Sequence, residues 1–306
     1  MLSYWPVLAL LTACCETGRD LATRSLLRRS GWPTNLVMGL SCLVSALLTL
    51  PFLRLMVQPS DLPQLLLALA ASGLVNAVAF WAYGRALAAG ELSLVLPLIN
   101  LSPLVLLFSG WWLLGERPTL SSSAGVALLV LGALLLGRGT AAGSSLVQSP
   151  GARPMLLVAV LWGVAASFDK LGVQASGSLA WVALFNLAVA LPLLTPAVFQ
   201  AQANGSLSTA GTWRQALASK HCWQLLALLL VCGLMGAVGM VSQMEALRFT
   251  AVVHVIAIKR LSTLLSAIAG VVWLGEPRGA LRLPGATLML AGAVSLLAIG
   301  IRQPIQ

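Results

Sequence analysis

The chain has 306 residues, 59% of them hydrophobic and 8% charged, a formal net charge of +10 and a mean hydropathy of +0.94. That much apolar surface cannot be hidden in one soluble core of this length, so the composition leaves an all-α, polytopic membrane protein. The cations stand singly or in small groups between apolar runs, which fits loop charges that set topology and gives no nucleic-acid surface.

The first apolar segment runs from about residue 5 to 24. Leu11-Thr12-Ala13-Cys14 has the form of a lipoprotein cleavage box, but no basic residues precede it and cleavage would remove half of the run, so the segment is read as a span. It carries Glu16, Arg19, Asp20 and Thr23, whose spacing puts them on one helical face, expected to point inward. Apolar runs recur at about 35–57, 63–88, 93–114 and 120–137, separated by turn signals such as Gly31-Trp32-Pro33, Pro59-Ser60-Asp61 and Gly90-Glu91. Within them Pro97 is expected to kink the fourth span, with Asn100 one turn on facing a cavity. Trp81 and Tyr83, near the end of the third, either line that cavity or sit at the membrane interface, as Trp5, Trp111, Trp112, Trp181, Trp223 and Trp273 are expected to do.

A linker of small residues at 139–153 follows, and five more runs come after it at about 154–174, 179–199, 223–247, 251–274 and 282–301. The chain thus divides into halves, 1–138 and 154–306, of five spans each. Asp169 and Lys170 lie in the sixth span, and Lys259 and Arg260 stand side by side near the middle of the ninth. A cation at a helix centre costs about 2.5 to 3.5 kcal/mol on insertion scales, and such residues usually face a polar interior. His254 lies on another face and is expected to be a satisfied packing residue. The five cysteines, Cys14, Cys15, Cys42, Cys222 and Cys232, lack CxxC spacing and read as packing residues, and no catalytic triad or carboxylate pair accompanies the two histidines, which argues against an enzyme.

The halves repeat. Gly73, Ala86-Leu87, Leu101-Ser102, Gly110, Leu114-Gly115-Glu116, Gly125 and Gly132 recur 160 positions later, Gly115 falling on Gly275 and Glu116 on Glu276. Asp20 matches Asp169 at a shorter offset, so the second half holds extra residues, assigned to the loop from Gln200 to Cys222. An odd number of spans per repeat forces the copies into opposite orientations, which places a pseudo-two-fold axis in the membrane plane and a site near the midplane. Glu116 and Glu276, each following Leu-Gly and preceding a proline within two residues, read chiefly as caps of the turns between neighbouring helices.

The stretches Pro97–Gly137 and Ala257–Leu297 resemble the EamA-type repeats of the drug/metabolite transporter superfamily. The likeness covers nearly the whole chain and implies ten transmembrane helices as two inverted five-helix repeats, a central cavity lined by both halves, and transport without a bound cofactor. The first span is also similar to the opening helix of small multidrug resistance proteins, in which a membrane glutamate alternates between protons and substrate; Glu16 stands at the matching place, and the second half has Ala166 and Ser167 there. The adjacent Lys259-Arg260 resembles the substrate-binding pair of triose-phosphate translocators, a branch of the same superfamily.

The expected function is secondary active transport of a small polar metabolite, anionic or phosphorylated, across the inner cell membrane. The alternative is a proton-coupled exporter of amphipathic or cationic compounds or amino acids, and more remotely a non-transport membrane subunit or lipid-acting enzyme. Expected partners are a small-molecule substrate and the lipid bilayer, with monomer and homodimer both open. Lys259, Arg260, Asn100, Trp81 and Tyr83 are the substrate-site candidates, although Lys259 and Arg260 would equally serve to neutralise Glu16, Asp20 and Asp169. Arg19, Lys170, Asp20 and Asp169 are expected to balance charge, and Glu16, with less obvious cationic company, to couple protons or cations. Arg24, Arg28, Arg29, Arg85, Arg138, Arg153, Arg214, Lys220, Arg278 and Arg282 fall opposite the termini, against Arg54, Arg117, Arg248 and Arg302 beside them. The positive-inside rule then puts both termini outside the cytoplasm.

Overall fold

A backbone in hydrocarbon must satisfy its own hydrogen bonds, so apolar runs of this length have helix as their outlet. The computed structural model describes residues 4–56, 62–90, 95–138, 150–203, 220–274 and 283–302, and these are helical with no strand. They form α1 (Trp5–Ser30), α2 (Thr34–Thr49, continued by a 3-10 turn Leu50–Leu55), α3 (Leu62–Ala89), α4 (Ser102–Leu114, entered through a 3-10 helix Leu96–Leu101), α5 (Leu120–Arg138), α6 (Ala152–Ser176), α7 (Ser178–Ala203), α8 (Lys220–Ala246), α9 (Val252–Lys259), α10 (Leu261–Leu274) and α11 (Leu283–Arg302). α9 and α10 are the two parts of one span, making ten. Seven described helices are long and apolar enough to cross a membrane. Of the other three spans, α5 is a shorter apolar helix, α1 carries Glu16, Arg19, Asp20 and Arg24, and the ninth is divided.

The ninth span differs from its expected form. Instead of one helix from Ala251 to Trp273 it breaks at Arg260, where Arg260 N–H is shared between the carbonyls of Ile256 and Ala257. The fourth span changes from 3-10 to α geometry between Leu101 and Ser102, just after Asn100, the repeat equivalent of Arg260. Pro97 sits in the first turn of the 3-10 helix, where no intrahelical donor is needed; the change of geometry falls at Pro103, which cannot donate to the Ile99 carbonyl, and Ser102 N–H takes that carbonyl instead. The equivalent residues in the ninth are Ala257 and Thr263, and the break there came without a proline signal.

The two irregular spans clasp each other reciprocally. Asn100 Nδ2 donates to Thr263 Oγ1 at 2.9 Å and Arg260 Nε donates to Ser102 Oγ at 2.9 Å. Other helices pair by the same inverted rule: α1 packs on α8 and α3 on α6, while α2 meets α7 and α5 meets α11, second with second and fifth with fifth. The α5–α11 contact needs glycine. A Cβ on Gly132 would stand 2.5 Å from the Met289 backbone nitrogen, and one on Gly292 2.6 Å from that of Leu129, so each glycine admits the other helix's backbone.

Leucines and aromatics such as Leu67, Phe108 and Trp112 face outward, whereas Thr12, Ser45 and Ser109 are buried and bond backbone carbonyls of Gly239, Gly233 and Gly163 on neighbouring helices. An apolar exterior around a polar-stitched interior suits hydrocarbon solvent. Trp111, Trp112 and Trp223 are exposed, but Trp5 and Trp181 are fully buried rather than interfacial: Trp5 stacks on His254, and Trp181 fills the space beside Gly172. The Trp273 side chain, the 139–149 part of the linker, the 204–219 part of the long loop and Glu276 lie outside the described residues.

Candidate functional site

Six spans bring charged, polar or aromatic side chains to one place in the middle of the bundle. Glu16 and Arg19, three apart on α1, form an ion pair at 2.8 Å. Lys259 ends α9 and reaches the other oxygen of Glu16 at 3.3 Å, while its ammonium donates to Gln243 Oε1 of α8 at 2.7 Å. Arg260 follows at the helix break. Trp162 of α6 lies beneath both cations, its ring centre 5.8 Å from Lys259 Nζ and 5.6 Å from the Arg260 guanidinium carbon. Arg19 lies over Phe80 of α3 at 5.3 Å, and Phe80 meets the Trp162 ring edge-on. Each cation thus combines a polar partner with an aromatic face, an arrangement worth about 0.5 to 2 kcal/mol per face depending on desolvation.

These side chains, with Asn76, Asp169, Phe185 and Met240, line a central cavity of about 40 Å³. Sites that enclose a drug-sized ligand run to some 300 Å³ or more, so the centre is closed down in this conformation. A larger recess of about 470 Å³ lies at the membrane face that carries the termini, lined by Leu55, Lys170, Gln174, Ser178, Leu247 and Arg248. Near it Glu116, from the turn after α4, pairs with Lys170 at 2.5 Å and accepts the Val252 N–H that opens α9 at 3.1 Å. Lys170 also donates to the Thr250 carbonyl at 3.2 Å. Gly115, in the left-handed conformation with φ of 69°, ends α4 and turns the chain into this position. Glu116 therefore caps a helix of the opposite half and pins it to α6, rather than serving only the turn in which it sits.

The carboxylates divide differently from expectation. Glu16 has the most cationic company, not the least. Asp20 accepts hydrogen bonds from Tyr83, through its hydroxyl, and from Ser266 at 3.4 Å, and Asp169 accepts from Ser72, which Asn76 also contacts. Neither aspartate has a cation within 4 Å among the described residues, so hydroxyls rather than cations are their immediate partners. The reason is positional: Lys259 meets α1 at the level of Glu16, one turn before Asp20.

Among the other candidates, Trp81 points outward, 40% exposed, with Arg85 stacked on it at 5.1 Å, and does not line the cavity. Tyr83 is buried behind the cavity wall, against Trp162 and Asp20. Asn100 is buried in the clasp with Thr263. Lys170 faces away from Asp169, toward Glu116. His254 is held by Thr250 and Ser122. Trp162, Gln243, Phe80, Ser72 and Asn76 were not singled out from the sequence. Ser72 and Asn76, four apart in an apolar run, and the isolated Gln243 were visible as polar residues inside spans; Trp162 and Phe80 had no such mark. Among the described residues no three His, Cys, Asp or Glu side chains gather as metal ligands.

Ten spans in inverted halves, with charged side chains brought together where the two broken spans cross, make this a multi-pass membrane protein built on a carrier's plan. The chain belongs to the EamA-like transporter family, whose model matches residues 3–138 and 150–298. It is 41% identical over 80 residues to an uncharacterized transporter in the cobO 3' region of a Sinorhizobium species; the match takes in 26% of this chain and 57% of that relative. A protein of known crystal structure, 19% identical, superposes with a TM-score of 0.65 over 99% of this chain and 100% of its own, a likeness of fold.

Proposed function

We propose that the protein is a secondary transporter of a small anionic metabolite bearing a phosphate or carboxylate, working by alternating access about the central cavity. The observation that carries the reading is the convergence of Arg19, Lys259 and Arg260 on one cavity whose carboxylates are Glu16 and Asp169. Arginine offers a planar fork and lysine a compact charge, a combination suited to oxyanions. The inverted clasp of Asn100 with Thr263 and Arg260 with Ser102 supports rocking, because it joins the halves at the cavity by a few bonds that can exchange partners.

Purified protein tested by thermal shift against inorganic phosphate, glycerol phosphate, glutarate, neutral sugars and cationic amines decides the substrate class. A ligand at 100 times its Kd stabilises the native state by about 2.7 kcal/mol. Anions should raise the melting temperature and cations should not. A response confined to amines would favour the exporter alternative, for which Asp169, with no cation within 4 Å among the described residues, and the aromatic wall of Trp162 and Phe80 would be the seat.

For orientation we place the face carrying Arg28, Arg29, Arg85 and Arg153 in the cytoplasm of a cell with this chain in its inner membrane, and the termini outside. Arg24 is buried within α1 and leaves this tally of loop charges. Arg138, Arg214, Lys220, Arg278, Arg282 and Arg302 have side chains outside the described residues. A C-terminal reporter active only in the cytoplasm should stay dark; a bright fusion reverses the orientation.

A further inference from the structure

We infer that Glu16 is a built-in stand-in for the transported anion, so that each substrate anion enters together with one proton. The inference rests on the anion reading above and adds to it how the seat is freed.

The Glu16 carboxylate sits between the cations as a bidentate ligand would, one oxygen on Arg19 Nη2 at 2.8 Å and the other on Lys259 Nζ at 3.3 Å. It is part of the cavity lining and not behind it, so an anion coming to Arg19 and Lys259 meets Glu16 in its own place. Two carboxylates cannot share the seat while both are charged. The cavity of about 40 Å³ that remains around Glu16 has room for a few waters and none for a second oxyanion with its carbon skeleton. Substrate binding therefore needs the side chain to swing aside, and a displaced carboxylate in a low-dielectric interior is stabilised by taking up a proton.

The charges balance. With the seat held by Glu16, Arg19 and Lys259 share its one carboxylate. With substrate bound, Glu16 is a neutral acid and one anionic group of the substrate takes its place, so the charge in contact with the cations is unchanged. One anion and one proton cross together, and on the far side loss of the proton lets Glu16 return to the cations and expel the substrate.

The titratable and charged groups around Glu16 are Cys15, Arg19 and Asp20 on α1, Tyr83 on α3, Asp169 on α6, and Lys259 and Arg260 at the ninth-span break, with Cys42 of α2 beside Arg19. α8 presents the neutral Gln243, and α10 the neutral Ser266. Asp20 and Asp169 are held by hydroxyls, so Glu16 is the carboxylate in direct competition for the cations.

An internal competitor lowers apparent affinity by the fraction of time it holds the seat. Glu16→Gln removes the competing charge, so the variant should bind glutarate and inorganic phosphate about tenfold more tightly than wild type, with the affinity for glutarate, which is fully ionised near neutral pH, independent of pH there. Wild-type affinity for glutarate should fall as pH rises, because rising pH favours the charged competitor. Should Glu16→Gln fold poorly for want of a counter-ion to Arg19, wild type answers alone. Glutarate binding, followed with an indicator dye in weak buffer near neutral pH, should take up one proton for each anion bound. Binding without proton uptake, or equal or weaker binding in Glu16→Gln, overturns this inference and leaves anion transport standing. A wild type that binds neither anion overturns both.

Discussion

Two buried ion-pair sites in this molecule use the same chemistry to different ends. At the terminal face, Glu116 and Lys170 satisfy each other, and their spare capacity goes to the backbone: Glu116 takes the Val252 N–H and Lys170 the Thr250 carbonyl. Little is left for a visitor, and the pair ties α4, α6 and α9 together. In the central cavity Arg19 and Lys259 share the carboxylate of Glu16 while Arg260 donates to Ser102, and a glutamine and aromatic faces complete the cations' contacts among the described residues. The difference teaches that a buried charge is better read by what its neighbours leave unsatisfied than by its presence. A saturated pair holds helices; cations that share one carboxylate inside a cavity can exchange it for another anion.

That contrast can be broken by substitution, and the largest effect is expected at the centre. Lys259→Ala and Arg260→Ala should each weaken a bound anion by about 100-fold, since truncating one side of a desolvated charge contact costs about 2 to 5 kcal/mol. If the two cations are instead structural, both variants should melt early whatever the ligand, with Lys259→Ala rescued by neutralising its contacting carboxylate in Glu16→Gln.

Glu116→Gln tests the other site. Removing one partner of a buried pair costs about 3 to 5 kcal/mol, and because Glu116 is 21% exposed at its side chain, about 2 kcal/mol is expected here. Thermal denaturation in detergent should show that loss, and anion affinity of the folded protein should stay within about twofold of wild type. A large change in affinity with unchanged stability would make the terminal-face pair part of the binding machinery and erase the distinction.

A smaller effect sharpens the picture of the cavity floor. Trp162→Phe keeps an aromatic ring but weakens its hold on both cations, and should cost about 1 kcal/mol of anion affinity, read by titration. Asp169→Asn should matter least for an anion: the amide oxygen still accepts from Ser72, so stability should change by under about 1 kcal/mol. A pronounced loss of an amine ligand in that variant would favour the exporter reading.

Sequence and tertiary structure contributed unequally to these two sites. The inward face of α1 was legible because Glu16, Asp20 and Thr23 follow helical spacing, and the mid-membrane position of Lys259 and Arg260 because the surrounding run is long enough to count from its ends. Glu116 stood out as a repeated residue, yet its partner Lys170 could not be foreseen, because two spans from different halves must cross before the two meet. The same holds for Glu16, whose shortage of cationic company in the sequence became an abundance once α9 lay against α1.

By itself the sequence determined ten helical spans, the inverted repeat and the depth of the charged residues, since hydropathy, period and self-similarity are properties of the chain read in one dimension. Only the tertiary structure decided which carboxylate meets which cation, that Trp162 lies under two of them while Trp81 turns outward, and that the ninth span breaks at Arg260 without a proline. Those outcomes depend on how helices distant in the chain pack and cross, and in a bundle of similar apolar helices the choice of neighbour is made by close contacts such as Gly132 on Met289 and Gly292 on Leu129, which spacing along one segment does not reveal.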